Sequence, residues 1–367
     1  MLSFEEIFAD IEKNHQSLQQ SDLVKTVNET NSSVIVFGAG AIGHAVAKDI
    51  IIDLPQRLIA FCDNNKGGTD HQFGVPIISP ETMLKEHKNA VIIIAINYEF
   101  SDLIYDQVLS LGFSKDKVFR RYSGYERISI EEFKKNHYDG YRWAYDFFDD
   151  EISKRVVVDK LKCCLYFHEP DNSVCKDQYF DTDVFALSKT EVFVDCGAYI
   201  GDSALEFMSR VGGKYERIYS FEPDNETYMT MRENLHNYKN TTQINKGVWD
   251  EECTLRFSAV NSGSSHIKSS SEVTDTIEIT TISLDDFFQN EPHIPTFIKM
   301  DIEGAEKKAL LGTQNIIRTY RPKLAICVYH KIEDVYELTE LINSMNGYNF
   351  RLRHYSKGAS ETVLYAF

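Results

Sequence analysis

Short apolar runs recur along the chain, each closed by a glycine or a polar residue and followed by residues at helical spacing. Val34 to Phe37 and Val91 to Ile96 are two of them. Val192-Phe193-Val194, Arg217 to Phe221, Thr296 to Met300 and Leu324 to Tyr329 repeat the form. Runs this short and this rich in β-branched residues read as buried strands. The stretches after them, Ile42 to Ile51, Leu205 to Met208 and Ala305 to Thr319 among them, place apolar residues for one helical face. Strand alternating with helix predicts an α/β chain of two doubly wound, Rossmann-like domains.

The remaining pattern divides the chain. Residues 1–30 read as helix, with Phe4, Ile7, Phe8 and Ile11 on one face and Ser3 and Glu6 spaced as a capping box. Residues 31–125 form the first Rossmann-like domain, in which Gly74 to Pro80 reads as a turn-rich lead into a helix at Glu81. Residues 126–177 read as a helical connector, whose aromatics Phe133, Tyr138, Tyr141, Trp143, Tyr145, Phe147 and Phe148 are expected to fill core. Residues 178–367 form the second domain, with a hairpin inserted near Thr254 to Phe257 and Asp275 to Ile282 and a second hairpin at the end. Between the inserted strands, Asn261 to His266 reads as a mobile loop.

Two strand-to-helix turns carry glycine. Gly38-Ala39-Gly40-Ala41-Ile42-Gly43 is a G-x-G-x-x-G, and Asp63 ends the next strand about 20 residues on. That context predicts a nucleotide or nucleotide-sugar site, NAD included, at the first helix N-terminus. The second turn, Asp195-Cys196-Gly197-Ala198-Tyr199-Ile200-Gly201-Asp202-Ser203, begins with an acid. A carboxylate there opposes a pyrophosphate and favours a cationic ligand. S-adenosylmethionine fits, with its sulfonium and ammonium and no phosphate. Glu222 ends the following strand, where an acid can hold ribose hydroxyls. Gln178 to Asp181, with Tyr179, precede the domain as a lid over this turn.

Charge narrows the partners. With 39 basic and 56 acidic residues, the net charge of -17 argues against nucleic acid as the main partner. The cysteines, Cys163-Cys164 adjacent among them, show no paired C-x-x-C, so reduced thiols are expected rather than disulfides or a zinc site. No apolar stretch approaches the ~20 residues of a transmembrane helix, and the acidic N-terminus lacks a signal pattern, so a cytoplasmic location is expected. The oligomeric state is not readable, and a homo-oligomer stays open.

VDCGAYIGDS, SFEPDNETY, KGVWDEE, ISLDDF and IKMDIEGAEKKAL, in that order over roughly residues 178–330, resemble the FkbM family of S-adenosylmethionine-dependent methyltransferases. The resemblance implies a seven-stranded class I methyltransferase sheet with a reversed C-terminal hairpin strand. It also implies O-methylation of a hydroxyl on a sugar, surface glycan or related metabolite. Carried over by motif, Asp195, Gly197, Ala198, Gly201, Asp202 and Ser203 would line the amino-acid end of the donor. Glu222 would hold its ribose, and Gly247, Val248 and Trp249 would approach its adenine. The first domain resembles modules found beside sugar-modifying enzymes.

Methylating an alcohol calls for a base near the methyl group. Asp301, Glu303 and His330 end strands on the same side; Asp301 is expected to order the site and His330 or Glu303 to take the proton. Asp301, Glu303 and Asp285 offer oxygens to magnesium or manganese, but no spacing signature marks them, and no metal is expected. Two other readings remain: an NAD-dependent sugar-modifying oxidoreductase, weakened by the lack of a Tyr-x-x-x-Lys pair in the first domain, and a non-catalytic scaffold of glycan biosynthesis.

Overall fold

The computed structural model describes residues 2–19, 22–121, 127–166, 168, 170, 175–258, 276–345, 347–356 and 358–367. The chain forms two compact units. One takes Met1–Arg142, Val158–Asn172 and Ser356–Ser360; the other takes Trp143–Val157, Ser173–Tyr355 and Glu361–Phe367.

The first unit opens with helices α1 (Phe4–Gln19) and α2 (Asp22–Thr30). Ser3 and Glu6 close the capping box reciprocally, Glu6 N–H donating to Ser3 Oγ and Ser3 N–H to Glu6 Oε2. The unit continues through β1 (Val34–Phe37), α3 (Ala41–Asp53), β2 (Leu58–Cys62), β3 (Gly68–Asp70), β4 (Val75–Ile78), α4 (Pro80–Glu86), β5 (Val91–Ile94), α5 (Tyr98–Ser110) and β6 (Val118–Arg120). Its sheet runs β3-β4-β2-β1-β5-β6. All four residues of β1 and of β5 are buried, as an apolar run in a two-sided parallel sheet requires. The segment expected as turn is partly strand: β4 pairs in parallel with β2 through Phe61–Ile77 and Cys62–Ile78. Pro76 lies ahead of the two residues that pair with β2 and stands opposite Thr69 of β3, the short antiparallel strand at the sheet edge.

Helices α6 (Ile130–Asn136), α7 (Tyr138–Phe147) and α8 (Glu151–Leu165) follow. Of the connector's aromatics, Phe133, Tyr141, Tyr145 and Phe148 are buried in core, and Tyr138, Trp143 and Phe147 are half-buried. Phe133 and Tyr138 pack on Phe8 within the first unit, and Phe147 packs on Phe350 within the second.

The second unit starts with β7 (Val192–Cys196), α9 (Asp202–Arg210), β8 (Arg217–Phe221), α10 (Asn225–Leu235), β9 (Thr241–Ile244) and β10 (Gly247–Val248). It continues through β11 (Thr254–Ser258), β12 (Thr276–Ile282), α11 (Leu284–Phe288), β13 (Phe297–Met300), α12 (Glu306–Leu311), α13 (Gln314–Tyr320) and β14 (Lys323–Cys327). It ends with α14 (Asp334–Asn343), β15 (Phe350–His354) and β16 (Thr362–Ala366). Its seven strands run β15-β16-β14-β13-β7-β8-β9, and β16 lies antiparallel to β14, the expected reversed strand. The run from Thr242 to Trp249 splits in two: β9 ends the large sheet, and β10 joins β11 and β12 in a small three-stranded one. The loop expected at Asn261 to His266 lies outside the described residues.

A single aromatic layer fixes the middle of this sheet. Phe193 stacks on Phe207 and Phe297, with ring centroids 4.6 and 5.0 Å apart, and Phe180 closes against all three. This clamps β7, β13 and α9, whose ends build the site. Among the described residues no helix is long and apolar enough to cross a membrane.

Candidate active site

The tips of β7, β8, β13 and β14 lie side by side, so residues far apart in sequence meet. The register places Lys299 of β13 opposite Asp195 of β7. Both are buried, and Lys299 Nζ lies 3.0 Å from Asp195 Oδ1 and donates to Gly197 O at 2.7 Å. Ser203 donates to Asp195 Oδ2 at 2.6 Å. Burial pushes the Asp195 carboxyl up, against the Lys299 ammonium and the Ser203 hydroxyl, which favour the anion. Burial also opposes the Lys299 charge, but Asp195 and Asp301 outweigh it and raise its pKa.

Asp195 is thus met by Lys299 and Ser203 and braces the turn. Lys299 was missed, although a lysine inside a buried apolar strand is itself a signal, because such a group needs a partner.

The turn itself is set by backbone geometry. Gly197 has φ +77°, and a Cβ there would lie 1.8 Å from Asp301 O. Gly201 has φ +87° at the N-cap of α9, with Leu235 beneath it. Both glycines thus answer to neighbouring parts of this chain. Ala198 is buried, Asp202 is exposed at the first turn of α9, and Tyr199 is half exposed. Glu222, at the tip of β8, accepts from Tyr199 N–H and Asp224 N–H, so it holds the turn from the other side. Burial raises its carboxyl to about 7. Gly247 and Val248 pair with Thr281 and Ile282, and the half-buried Trp249 lies beneath the Lys308 ammonium.

The opposite side is a cluster on the tips of β13 and β14. Asp301 accepts from Tyr179 at 2.7 Å and from Tyr329 at 3.1 Å. Burial works against its charge, but Lys299, His330 and the two hydroxyls hold the carboxyl below its ordinary range. His330 Nε2 lies 3.5 Å from Asp301 and 3.6 Å from Glu303, and its Nδ1 lies 3.1 Å from Glu306. Burial lowers the His330 pKa, yet Glu306, Asp301 and Glu303 outweigh it and raise it to about 10. Glu303 sits at φ +56°, and burial lifts its carboxyl to about 7.

Tyr179 lies on the segment expected as a lid. Phe180 anchors its segment in the aromatic core, and Tyr179 is bound to Asp301. Glu306 and Tyr329 join the cluster without having been singled out in the sequence. Asp285 stands apart, accepting from the N–H groups of Asn315 and Ile316 at the start of α13.

In the first unit, Asp63 accepts from Ala39 N–H with one oxygen and from Asn65 and Lys66 N–H with the other. Burial opposes its charge, but these bonds hold its carboxyl below the usual range. A Cβ on Gly43 would meet Gly38 O at 1.8 Å and one on Gly38 would meet Ala95 O at 2.4 Å, so internal packing requires both glycines. Among the described residues, a Cβ on Gly40 would meet nothing within 4 Å.

Comparison with known proteins fits this architecture. Residues 195–352 match the family model described as the methyltransferase FkbM domain. The methyltransferase FkbM from Methylobacillus flagellatus KT is 21% identical, with 99% of this chain and 98% of that one covered at a TM-score of 0.68, a likeness of fold over both units. Aeropyrum pernix fibrillarin, in complex with natively bound S-adenosyl-L-methionine, is 11% identical over 49% of this chain and 69% of its own, with a TM-score of 0.33. A search of curated protein sequences gives no match.

Proposed function

From the premise that this chain carries a methyltransferase FkbM domain over residues 195–352, we propose that it methylates a hydroxyl of a sugar or surface glycan, with S-adenosylmethionine as donor. The observation that carries the reading is the turn between β7 and α9. It is held in a left-handed conformation at Gly197, Tyr199 and Gly201 and flanked by the buried acid Glu222. Such a turn presents backbone groups to a ligand, and a carboxylate at the second strand tip suits a ribose diol. The acid-rich tips of β13 and β14 suit a cation. The donor supplies an electrophilic methyl group on its sulfonium.

The chain's own groups then divide the work. Glu222 takes the ribose hydroxyls, Trp249 and the Gly247–Val248 backbone flank the adenine, and Asp195 with Lys299 and Ser203 keeps the turn rigid. Tyr179 and Tyr329 fix Asp301, which orders the cluster. Glu303 takes the acceptor's proton. It is more open than His330, with side chains 25% and 5% exposed respectively. The acceptor oxygen gains the methyl as the sulfonium–carbon bond breaks, leaving a methyl ether and S-adenosylhomocysteine.

The test is release of S-adenosylhomocysteine across a panel of nucleotide sugars, lipid-linked glycans and polymers. Turnover on a sugar hydroxyl is expected, and Glu303→Gln is expected to lower kcat by about 10²–10⁴-fold with donor affinity retained. Turnover confined to nitrogen or carbon acceptors would overturn the O-methyl reading.

One observation favours a second binding site. The open surroundings of Gly40 at the start of α3 fit a nucleotide or nucleotide-sugar in the first unit. Calorimetry with NAD and UDP-sugars on wild type and Gly40→Val tests it: binding lost in the variant supports it, and no heat with any nucleotide rejects it.

A further inference from the structure

The cluster at the tips of β13 and β14 contains more than a proton acceptor needs. Asp301, Glu306 and His330 each bring one ligand atom, and the three atoms all lie within 4.8 Å of one another. Acidic residues alone would say little, but two further features point to a ligand. Glu306 is 1% exposed, and among the described residues its Oε2 has no hydrogen-bond partner. His330, with its side chain 5% exposed, has neither ring nitrogen aligned in a hydrogen bond, although Nδ1 comes within 3.1 Å of Glu306 Oε1. Buried polar groups left this way are costly unless something occupies them.

The supports are those of a coordination site. Ile302 N–H donates to Glu306 Oε1 at 2.9 Å, the same oxygen that lies 3.1 Å from His330 Nδ1. Tyr179 and Tyr329 hold the two oxygens of Asp301. Hydrogen bonds to ligating carboxylates are how proteins orient a metal shell.

We propose that Asp301, Glu306 and His330 bind a divalent transition-metal ion. An imidazole with two carboxylates suits manganese, iron or zinc better than magnesium or calcium, which favour oxygen alone. Three protein ligands leave further coordination positions open, as in reactive rather than structural sites. The sequence hides this triad because its members come from a strand tip, a helix start and the neighbouring strand.

Binding is measured apart from methyl transfer, so failure here leaves the proposed reaction standing. Full-length protein stripped with chelator is titrated with Mn²⁺, and free ion is followed by electron paramagnetic resonance. One ion per chain is expected, weakened at least tenfold in Glu306→Gln and in His330→Ala, with Mg²⁺ a poor competitor and Zn²⁺ a good one. Circular dichroism and unchanged binding in Asp285→Ala control for folding and for loose attraction to acidic surface. Equal binding in wild type and Glu306→Gln, or competition by Mg²⁺ as strong as by Zn²⁺, would overturn the proposal.

Discussion

Gly197 carries two demands at one position: φ +77°, and a neighbouring carbonyl 1.8 Å from where a Cβ would stand. A left-handed conformation alone costs an ordinary residue ~1–2 kcal/mol, and the clash adds to it. Gly197→Ala is therefore expected to lower stability by more than ~2 kcal/mol, read from denaturant midpoints. Glu222 is the other informative residue. Its folded pKa of about 7 exceeds its ordinary 4.5, so the folded state holds the proton more tightly. That contribution is complete below about pH 4.5 and is lost as pH rises through about 7. Wild type should lose stability across this window relative to Glu222→Gln, and a constant difference between the two from pH 4.5 to 8 would contradict the shift.

Elements explain what was readable and what was not. Strands β1, β5, β8, β13 and β14 are buried parallel strands, so their apolar runs announce them directly. Strand β4 hides behind Gly74 and Pro76, because two residues of pairing with β2 are too few to leave a pattern. The helix expected from Ala305 to Thr319 breaks between α12 and α13, where Gly312 passes close to the Trp249 carbonyl. The candidate site follows the same logic. Asp301, Glu303 and His330 could be named because each ends a strand. Lys299 opposite Asp195, and Glu306 against His330, depend on register and on the turn after β13, which no local pattern reports. Asp285, in α11, serves a neighbouring element: it accepts from two N–H groups at the start of α13. Asp285→Ala should cost ~1 kcal/mol in thermal stability and leave donor affinity intact.

Across the whole molecule, two doubly wound units solve the same loop problem with one device. Asp63 holds Ala39 N–H beside the first glycine turn, and Glu222 holds Tyr199 N–H beside the second. Their electrostatics differ: backbone donors keep the Asp63 carboxyl low, and burial drives Glu222 up. On the proposed function the donor sits at the second turn, with Glu222 on its ribose. Isothermal titration of S-adenosylmethionine into the full chain and into Glu222→Ala tests this most directly. Binding near one site per chain, weakened about 10–100-fold by the loss of charged hydrogen bonds in the variant, is the expected result. Equal affinity in both proteins, or displacement of the donor by a dinucleotide from that same turn, would contradict it.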